Sequence, residues 1–353
     1  MDEPLSPQRG RGAPANPPNR FEPFAYVRDP EDDGPEGSAL DTQFFKDASR
    51  SIISYNDSPD VGFDASINPY RGCEHGCIYC YARPTHEYLG FSAGLDFESR
   101  ILVKNDAPEL LRRELSSPRW KPQVLAISGV TDPYQPVERR LQLTRRCLQV
   151  LADFRNPVVI ITKNHLVTRD VDFLGELAVH QAARVFLSVT TLDGNLSRVM
   201  EPRASHPTRR LAAVERLARA GVPVGVLVAP VIPGLTDHEL PSIIAAASRA
   251  GAQSAGYVTV RLPHGVAPLF EQWLGEHFPD RKDKVLHRIR AIRGGKLNDP
   301  RFSSRMRGEG IFAEQIQSLF TLACRAAGIE GCGPPLSTAA FRRPSAAQLP
   351  LFE

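Results

Sequence analysis

Three cysteines lie close together in the segment RGCEHGCIYCYAR, where Cys73, Cys77 and Cys80 have the spacing C-x3-C-x2-C. Thiolates are soft ligands that suit iron–sulfur clusters, zinc and copper(I). Three of them can hold three corners of a cubane and leave the fourth iron open to another molecule, which is a catalytic arrangement. Gly72 and Gly76 allow the backbone to wrap closely around such a cluster. The segment is therefore a candidate [4Fe–4S] site.

Two other interpretations of these cysteines remain open. A structural zinc ion could take its fourth ligand from His75, Cys324 or Cys332, because tetrahedral zinc sites use cysteine and histidine. The three thiols could also be buried without any ligand. Taken alone, His75 is predicted to be an exposed loop residue rather than a ligand. Cys147 is predicted to pack as a small apolar residue.

Six short apolar runs indicate the strands that must position this loop. They are rich in β-branched residues and bounded by Gly or Pro, as buried parallel strands are. The first precedes the cysteines. The predicted strands are residues 66–69, 124–128, 158–162, 185–190, 222–228 and 257–262.

Segments of helical period separate these strands. Regular alternation of strand and helix predicts a parallel sheet, either doubly wound or curled into a barrel. The chain thus holds about six βα units. The predicted helices are residues 108–115, 144–154, 170–180, 207–220, 238–249 and 267–277.

Polar side chains follow several of the predicted strands. Thr131 and Asp132 follow the second strand, Lys163 the third, and Ser188 and Thr190 close the fourth. Ligands of α/β barrels bind at the carboxyl ends of strands. A series of apolar strands that each end in polar groups therefore favours a binding site over pure packing, and these five residues are our candidates for cofactor binding.

Composition places few limits on the function. Hydrophobic residues make up 42% of the chain, and the net charge of +3 does not identify a partner. We expect a cytoplasmic protein without a membrane anchor, because no apolar run reaches roughly 18 residues and the N-terminus lacks the apolar stretch of a secretory signal. Basic clusters permit contact with phosphates. They lie at residues 139–140, 145–146, 209–210 and 282–296.

The cysteine array resembles a family signature. With Tyr79 before the last cysteine, the pattern C-x3-C-x-aromatic-C resembles that of radical S-adenosylmethionine (SAM) enzymes. The resemblance implies a partial (β/α)6 TIM-like barrel and an open iron that chelates the amino and carboxylate groups of SAM. It also implies reductive cleavage of SAM to methionine and a 5′-deoxyadenosyl radical, with a flavodoxin- or ferredoxin-like protein as electron donor.

The expected organisation follows from this fold. The partial barrel is assigned to residues 41–278, and a helical basic extension to residues 279–330. Residues 1–40 are rich in Pro, Gly and charged groups and are predicted to be mostly disordered. Residues 331–353 are predicted to form a flexible tail.

Within the superfamily, the chain resembles the spore photoproduct lyase branch. Thr131 and Asp132 match the branch's motif near the SAM amino group, Lys163 matches a lysine that pairs with the carboxylate, and Ser188 matches a serine near the ribose. The segment EPRASHPTRRL resembles the motif EP-x-x-S-x-P-x-x-R-[IL]. Its Arg203 is either a carboxylate fork or part of a surface salt bridge.

One departure from that branch concerns hydrogen-atom return. Gly129 stands where the lyase has its donor cysteine, so the protein is not expected to repair spore photoproduct itself. A substrate radical would be quenched by a tyrosine such as Tyr134, by an external thiol, or by regenerating SAM. The chain resembles a group described as predicted DNA repair photolyases.

The sequence favours a lyase-like enzyme acting on a nucleic-acid base or lesion in DNA. A radical enzyme acting on a protein, RNA or small metabolite is the first alternative. A metal-stabilised nucleic-acid-binding module without catalysis is the second.

The C-terminal segment carries a further motif. Gln348, Leu349, Leu351 and Phe352 lie in QLPLF, which resembles the pentapeptide QL[SD]LF that binds the DNA polymerase sliding clamp. It supplies apolar anchors and a glutamine on a tether, which suit a hydrophobic groove. Alternatively, this tail packs back on its own barrel.

Overall fold

A seven-stranded sheet forms the centre of the computed structural model, which describes residues 10–22, 41–329, 331 and 333–344. The described residues also form a smaller sheet of three strands. In chain order, the strands of the two sheets are β1 (Gln43–Lys46), β2 (Ile53–Tyr55), β3 (Ala65–Ile67), β4 (Tyr70–Arg71), β5 (Arg100–Val103), β6 (Leu125–Ile127), β7 (Val158–Thr162), β8 (Ala183–Ser188), β9 (Val224–Val231) and β10 (Ser254–Thr259).

Helices follow the strands in regular alternation. They are α1 (Leu95–Ser99), α2 (Ala107–Ser116), α3 (Glu138–Leu141), α4 (Leu143–Phe154), α5 (Val171–Val179), α6 (Gly194–Met200), α7 (Pro207–Arg219), α8 (Leu240–Arg249), α9 (Val266–His277), α10 (Pro279–Ile292), α11 (Ser304–Arg307) and α12 (Ile311–Ala327). Short 3-10 helices occupy Arg83–Leu89, His165–Asp170 and Asp237–Glu239.

The sheet has the topology of a partial (β/α)6 barrel. Its spatial order is β10-β9-β8-β7-β6-β3-β2. Six of its strands pair in parallel, namely β3, β6, β7, β8, β9 and β10, and β2 adds an antiparallel strand at the edge. Each of the six predicted strands overlaps one of these parallel strands, which confirms the predicted fold class. Their carboxyl ends consequently lie along one side of the sheet.

The apolar runs form strands because alternate side chains pack against the surrounding helices. Side chains from the sheet share one large buried cluster with residues from α2, α4, α5, α7 and α8. Burying each Val, Leu or Ile there contributes about 1.5–3 kcal/mol relative to exposure. A smaller cluster joins Ile78 and Tyr79 of the cysteine loop to Phe270 and Trp273 of α9. The cysteine loop is therefore packed into the domain.

A second, three-stranded sheet was not predicted. Its order is β1-β5-β4, with β5 parallel to β1 and antiparallel to β4. The four residues of β1 are all exposed and β4 has only two residues, so neither carries the apolar alternation that marks a strand. This sheet matters for the site because β4 leads directly into the cysteine loop.

The described parts of both termini differ from the predicted disorder. Residues 10–22 pack against the domain, and Ala13 is only 1% exposed. In the predicted flexible tail, Phe341 lies 6.2 Å from Phe154, measured between ring centroids. The Arg342 amide donates to the Phe154 carbonyl at 2.9 Å. Residues 1–9, 23–40, 330, 332 and 345–353 lie outside the described residues.

The C-terminal extension consists of α10, α11 and α12, and α12 packs against α8. Among the residues that the structure describes, none of the helices combines the length and the apolar character needed to cross a membrane.

Candidate active site

The cysteine loop lies between β4 and the 3-10 helix Arg83–Leu89. Cys73 and Cys77 are buried and Cys80 is partly buried, and all three are free thiols. Gly72 and Gly76 have φ values of 81° and 66°, which only glycine adopts at little cost. A Cβ at Gly76 would also lie 2.6 Å from the Glu98 carboxylate. The two glycines are therefore required by the path of this loop.

The donor set fits a [4Fe–4S] cluster. Burial raises the pKa of Cys73 and of Cys80, so metal must displace a thiol proton from these buried groups for thiolate ligation. No three His, Cys, Asp or Glu side chains of the described residues converge as ligands of a single ion. A cubane requires a different geometry, because each of its cysteines binds a separate iron.

A buried glutamate organises the floor beside the loop. Glu201 contacts the Arg210 guanidinium and the Tyr79 hydroxyl, and Thr190 Oγ1 donates to its carboxylate at 2.8 Å. Lys163 Nζ lies 3.9 Å from the same carboxylate. Burial opposes ionisation, but the charges of Arg210 and Lys163 bring the pKa of Glu201 down to about 2. The carboxylate is consequently charged at neutral pH.

A second carboxylate lies at the end of β6. Asp132 accepts hydrogen bonds from Thr162 Oγ1 and from the Lys163 amide, each at 2.7 Å. His75 Nδ1 lies 3.3 Å from Asp132 Oδ2, and His75 Nε2 lies 3.1 Å from Asn164 Nδ2. Burial raises the pKa of Asp132, but His75 and these donors outweigh it and lower the value to about 2.

The environment of His75 corrects the sequence analysis. His75 was expected to be an exposed loop residue, yet it is 1% exposed. Its ring lies between Asp132 and Asn164, and its carbonyl accepts the Arg203 amide at 3.2 Å. The sequence gives no sign of this burial because Asp132 is far from His75 along the chain.

Lys163 lies where strand-end reasoning predicted a cofactor-binding cation. Its ammonium donates to the Ala229 carbonyl at 2.9 Å and lies 5.8 Å from the centroid of the Tyr79 ring. Thr190 Oγ1 is 3.1 Å from the same carbonyl. The structure thus brings Lys163, Thr190 and the cysteine loop together at the ends of β7, β8 and β9.

Three other predicted residues make contacts within the fold, and their binding of a cofactor stays a prediction. Thr131 Oγ1 donates to the Tyr70 carbonyl at 3.3 Å. Ser188 is buried, and its carbonyl accepts from Arg210 at 3.0 Å. Arg203 pairs with Glu74 at 3.3 Å. The carboxylate of Glu74 is buried, so this is not the surface salt bridge that was the alternative for Arg203. Binding of a ligand carboxylate by Arg203 stays a prediction.

Tyr134 is not part of the site, which corrects its assignment as a candidate catalytic residue. It is fully buried in the main core, and its hydroxyl donates to Asp170 Oδ2 at 3.1 Å. Tyr81, which the sequence analysis missed, lies beside Cys80 and is 47% exposed. Its hydroxyl donates to the Gly129 carbonyl at 2.5 Å. Proximity to Cys80 was the available signal.

The residue at position 129 is constrained by its backbone. Gly129 has a φ of 107°, a conformation in which a side chain is strained. The absence of a cysteine here is thus matched by a main-chain path that favours glycine.

We predict that Glu201→Gln destabilises the fold by about 3–5 kcal/mol at neutral pH, because the fully buried Arg210 loses its counter-charge. Urea unfolding measures this effect, and Glu215→Gln, in an exposed pair with Arg219, serves as the control with a loss below about 1 kcal/mol. The carboxylate stabilises the protein above its unfolded pKa near 4.5 and ceases to do so as the pH falls through about 2. Equal losses in both variants would contradict the prediction.

Comparison with known proteins assigns the chain to a family. Residues 67–247 match the Radical SAM superfamily. The uncharacterized protein Rv2578c of Mycobacterium tuberculosis (strain ATCC 25618 / H37Rv) is 34% identical over 282 residues, covering 79% of this chain and 80% of that protein. The Radical SAM Nalpha-GlyT isomerase of Pseudomonas phage M6 is 24% identical over 172 residues, covering 48% of this chain and 34% of the phage protein.

A solved structure of spore photoproduct lyase complexed with dinucleoside spore photoproduct has a similar fold. Its TM-score is 0.59 at 15% identity, over 80% of this chain and 79% of the lyase chain. Family membership excludes the non-catalytic module and makes a [4Fe–4S] cluster and SAM the cofactors, with Cys73, Cys77 and Cys80 as the candidate ligands. The chain belongs to the Radical SAM superfamily of enzymes.

Proposed function

We propose that this enzyme performs radical chemistry on a nucleic-acid base or lesion in DNA. When bound, the cluster and SAM supply a reductively generated 5′-deoxyadenosyl radical. The remaining chemistry belongs to the chain, which must bind SAM, orient the substrate and return a hydrogen atom. The observation that carries the radical chemistry is the convergence of Lys163, Thr190 and Asp132 with the three-cysteine loop at one end of the sheet. The choice of a DNA substrate is supported by the similar fold of a lyase complexed with a dinucleoside photoproduct.

Charge balance supports Lys163 as the residue that binds the SAM carboxylate. Lys163 and Arg210 are two cations that share one anion, Glu201. The group therefore carries one excess positive charge, which a ligand carboxylate can neutralise. Arg210 is fully buried and already donates to Ser205 and Ser188. Lys163 is the more accessible of the two cations, with 15% of its side chain exposed.

Asp132 is the corresponding candidate for the SAM amino group. Its carboxylate is charged at neutral pH, and its side chain is 10% exposed. His75 and the Lys163 amide fix its orientation. A carboxylate that is already held in one orientation needs little reorganisation to bind the amino group of SAM.

Support for a DNA substrate comes from relatives. The lyase with a similar fold is complexed with a dinucleoside photoproduct, although at 15% identity the likeness concerns the fold. Basic side chains elsewhere on the chain suit a polyanion. A protein, RNA or small metabolite is the alternative substrate, and the substrate assay below distinguishes these classes.

Tyr81 is the tyrosine best located to return a hydrogen atom. It is next to Cys80, half-exposed, and bonded to the carbonyl of Gly129. The phenol O–H bond would break as a C–H bond forms on the substrate radical. The resulting tyrosyl radical would regain a hydrogen atom from an external thiol, whose S–H bond breaks to leave a thiyl radical.

The clamp motif at Gln348, Leu349, Leu351 and Phe352 lies outside the described residues. Binding of the sliding clamp through this tail stays a prediction, and the comparisons add no support to it. An electron donor is required by the chemistry of the superfamily. A flavodoxin or ferredoxin remains our expectation for it.

We expect anaerobically reconstituted, dithionite-reduced enzyme to release 5′-deoxyadenosine faster with ultraviolet-irradiated DNA than without substrate. Undamaged DNA, RNA and a protein extract are the parallel arms, and liquid chromatography quantifies the product. Cys80→Ala, which removes one of the three candidate cluster ligands, is the control. Stimulation by RNA or protein but by neither DNA would contradict the proposed substrate class.

Lys163→Ala should weaken SAM binding by about 2 kcal/mol, as for a lost charge-assisted hydrogen bond, which is roughly 30-fold in Kd. Equilibrium dialysis with labelled SAM measures this loss on the reconstituted protein. Lys282→Ala removes a lysine that pairs with Glu271 on the surface and is the matched control. An unchanged Kd in Lys163→Ala, with the cluster intact, would remove Lys163 from the SAM site.

Tyr81→Phe should keep SAM cleavage but lower the yield of repaired or rearranged substrate per 5′-deoxyadenosine, because phenylalanine has no O–H bond from which a hydrogen atom can be returned. The ring can still stack under Arg261, whose guanidinium lies 4.4 Å from its centroid. Tyr88→Phe alters a tyrosine that is 74% exposed and should leave the ratio unchanged. Equal ratios in both variants would exclude Tyr81 as the donor.

A further inference from the structure

Residues 10–22 form an extended segment, here called the strap, that lies directly against the cysteine loop. Ala13 belongs to the same buried cluster as Cys77, Ile78 and Tyr79. The strap therefore covers a side of the loop that would otherwise face solvent. The loop is also held by the Met200 carbonyl, which accepts the Ile78 amide at 3.1 Å.

Glu98 connects the strap to the loop. This carboxylate is fully buried and accepts the amides of Gly12 and Ala13 at 2.9 and 2.8 Å. It also pairs with the Arg83 guanidinium. A buried charge is tolerated only when such partners surround it, so the two strap amides satisfy acceptor capacity that Arg83 alone leaves open.

Arg83 carries the connection on to the cysteines. Its side chain donates to the carbonyls of Cys77 and Gly76, at 3.0 and 3.2 Å. The strap, Glu98 and Arg83 thus form one continuous hydrogen-bonded chain that ends on the backbone between two of the three cysteines. Movement of the strap away from Glu98 would leave an underpaired buried ion pair beneath the loop.

The close approach of strap and loop depends on glycine. A Cβ at Gly12 would overlap the carbonyl oxygen of Gly76, and a Cβ at Gly94 would overlap that of Ala15. Backbone oxygens cannot rotate away as a flexible side chain can. The strap and the segments beside it therefore pack main chain against main chain.

The rest of the strap is fastened farther from the cysteines. Asn19 Nδ2 donates to the carbonyls of Glu87 and Phe91, both at 2.9 Å. Arg20 pairs with Glu87 at 2.6 Å. These contacts anchor the strap to the 3-10 helix that follows the loop, without touching the loop itself.

We propose that the strap is a positioning element of the cluster site, which holds the cysteine loop in its ligating conformation and slows loss of the cluster. Mutation of residues that contact the ligands of a metal, but not the metal itself, typically changes metal affinity by 10–100-fold. Gly12 and Glu98 act through the loop backbone. The inference is independent of what the enzyme acts on.

Gly12→Ala tests this proposal against Gly62→Ala, where an added Cβ meets nothing within 4 Å. In the reconstituted protein, chelator-driven iron loss, followed by the decay of cluster absorbance, should accelerate roughly tenfold in Gly12→Ala. In the metal-free protein, maleimide labelling of Cys77, read by peptide mass spectrometry, should accelerate as well. Gly62→Ala should match the wild type in both measurements.

Asn19→Ala keeps the test decisive if Gly12→Ala folds poorly. It releases the far end of the strap without a clash, so the protein should stay folded in the absence of urea while Cys77 labelling accelerates. Wild-type rates of iron loss and of Cys77 labelling in a folded Gly12→Ala or Asn19→Ala protein would overturn the proposal.

Discussion

The cysteine loop has no regular secondary structure, yet it is buried, and its peptide groups must find hydrogen-bond partners elsewhere. This constraint determines much of what surrounds it. Arg83 donates hydrogen bonds to two carbonyls of the loop. Gln135 accepts the Glu74 amide at 2.9 Å and donates to the Gly72 carbonyl at 3.2 Å. The partners come from before, after and far beyond the loop. The ligand geometry consequently depends on the whole domain.

Buried arginine–glutamate pairs are the second consequence of this arrangement. The fully buried pair of Arg83 and Glu98 lies against the cysteine loop, and the fully buried pair of Arg210 and Glu201 lies beside Tyr79. Each charge is costly to bury unless several hydrogen bonds satisfy it. Because the pairs bond to backbone carbonyls as well as to each other, they fix the path of the chain. The floor beside the loop places two cations, Arg210 and Lys163, against the single carboxylate of Glu201.

The sequence predicted the parts of this structure that rest on local pattern. Central strands such as β7 consist of β-branched residues whose alternate side chains are buried, and the cysteine spacing predicted a ligand set that stays a prediction. The burial of His75 and the contact of Gly12 with Glu98 were missed because each joins residues far apart along the chain, which no periodicity records. Tyr134 follows Asp132 closely in sequence, but its side chain enters the core.

Mössbauer spectroscopy of the 57Fe-reconstituted protein tests the central claim, that three cysteines on one supported loop hold a cubane whose remaining iron is open to SAM. The account predicts a [4Fe–4S] spectrum in which SAM shifts the signal of one iron, while the other three stay unchanged. The same shift should be weaker in Lys163→Ala at equal SAM concentration. A spectrum that SAM leaves unaltered at saturating concentration, or a preparation that binds stoichiometric zinc and no sulfide, would contradict the account.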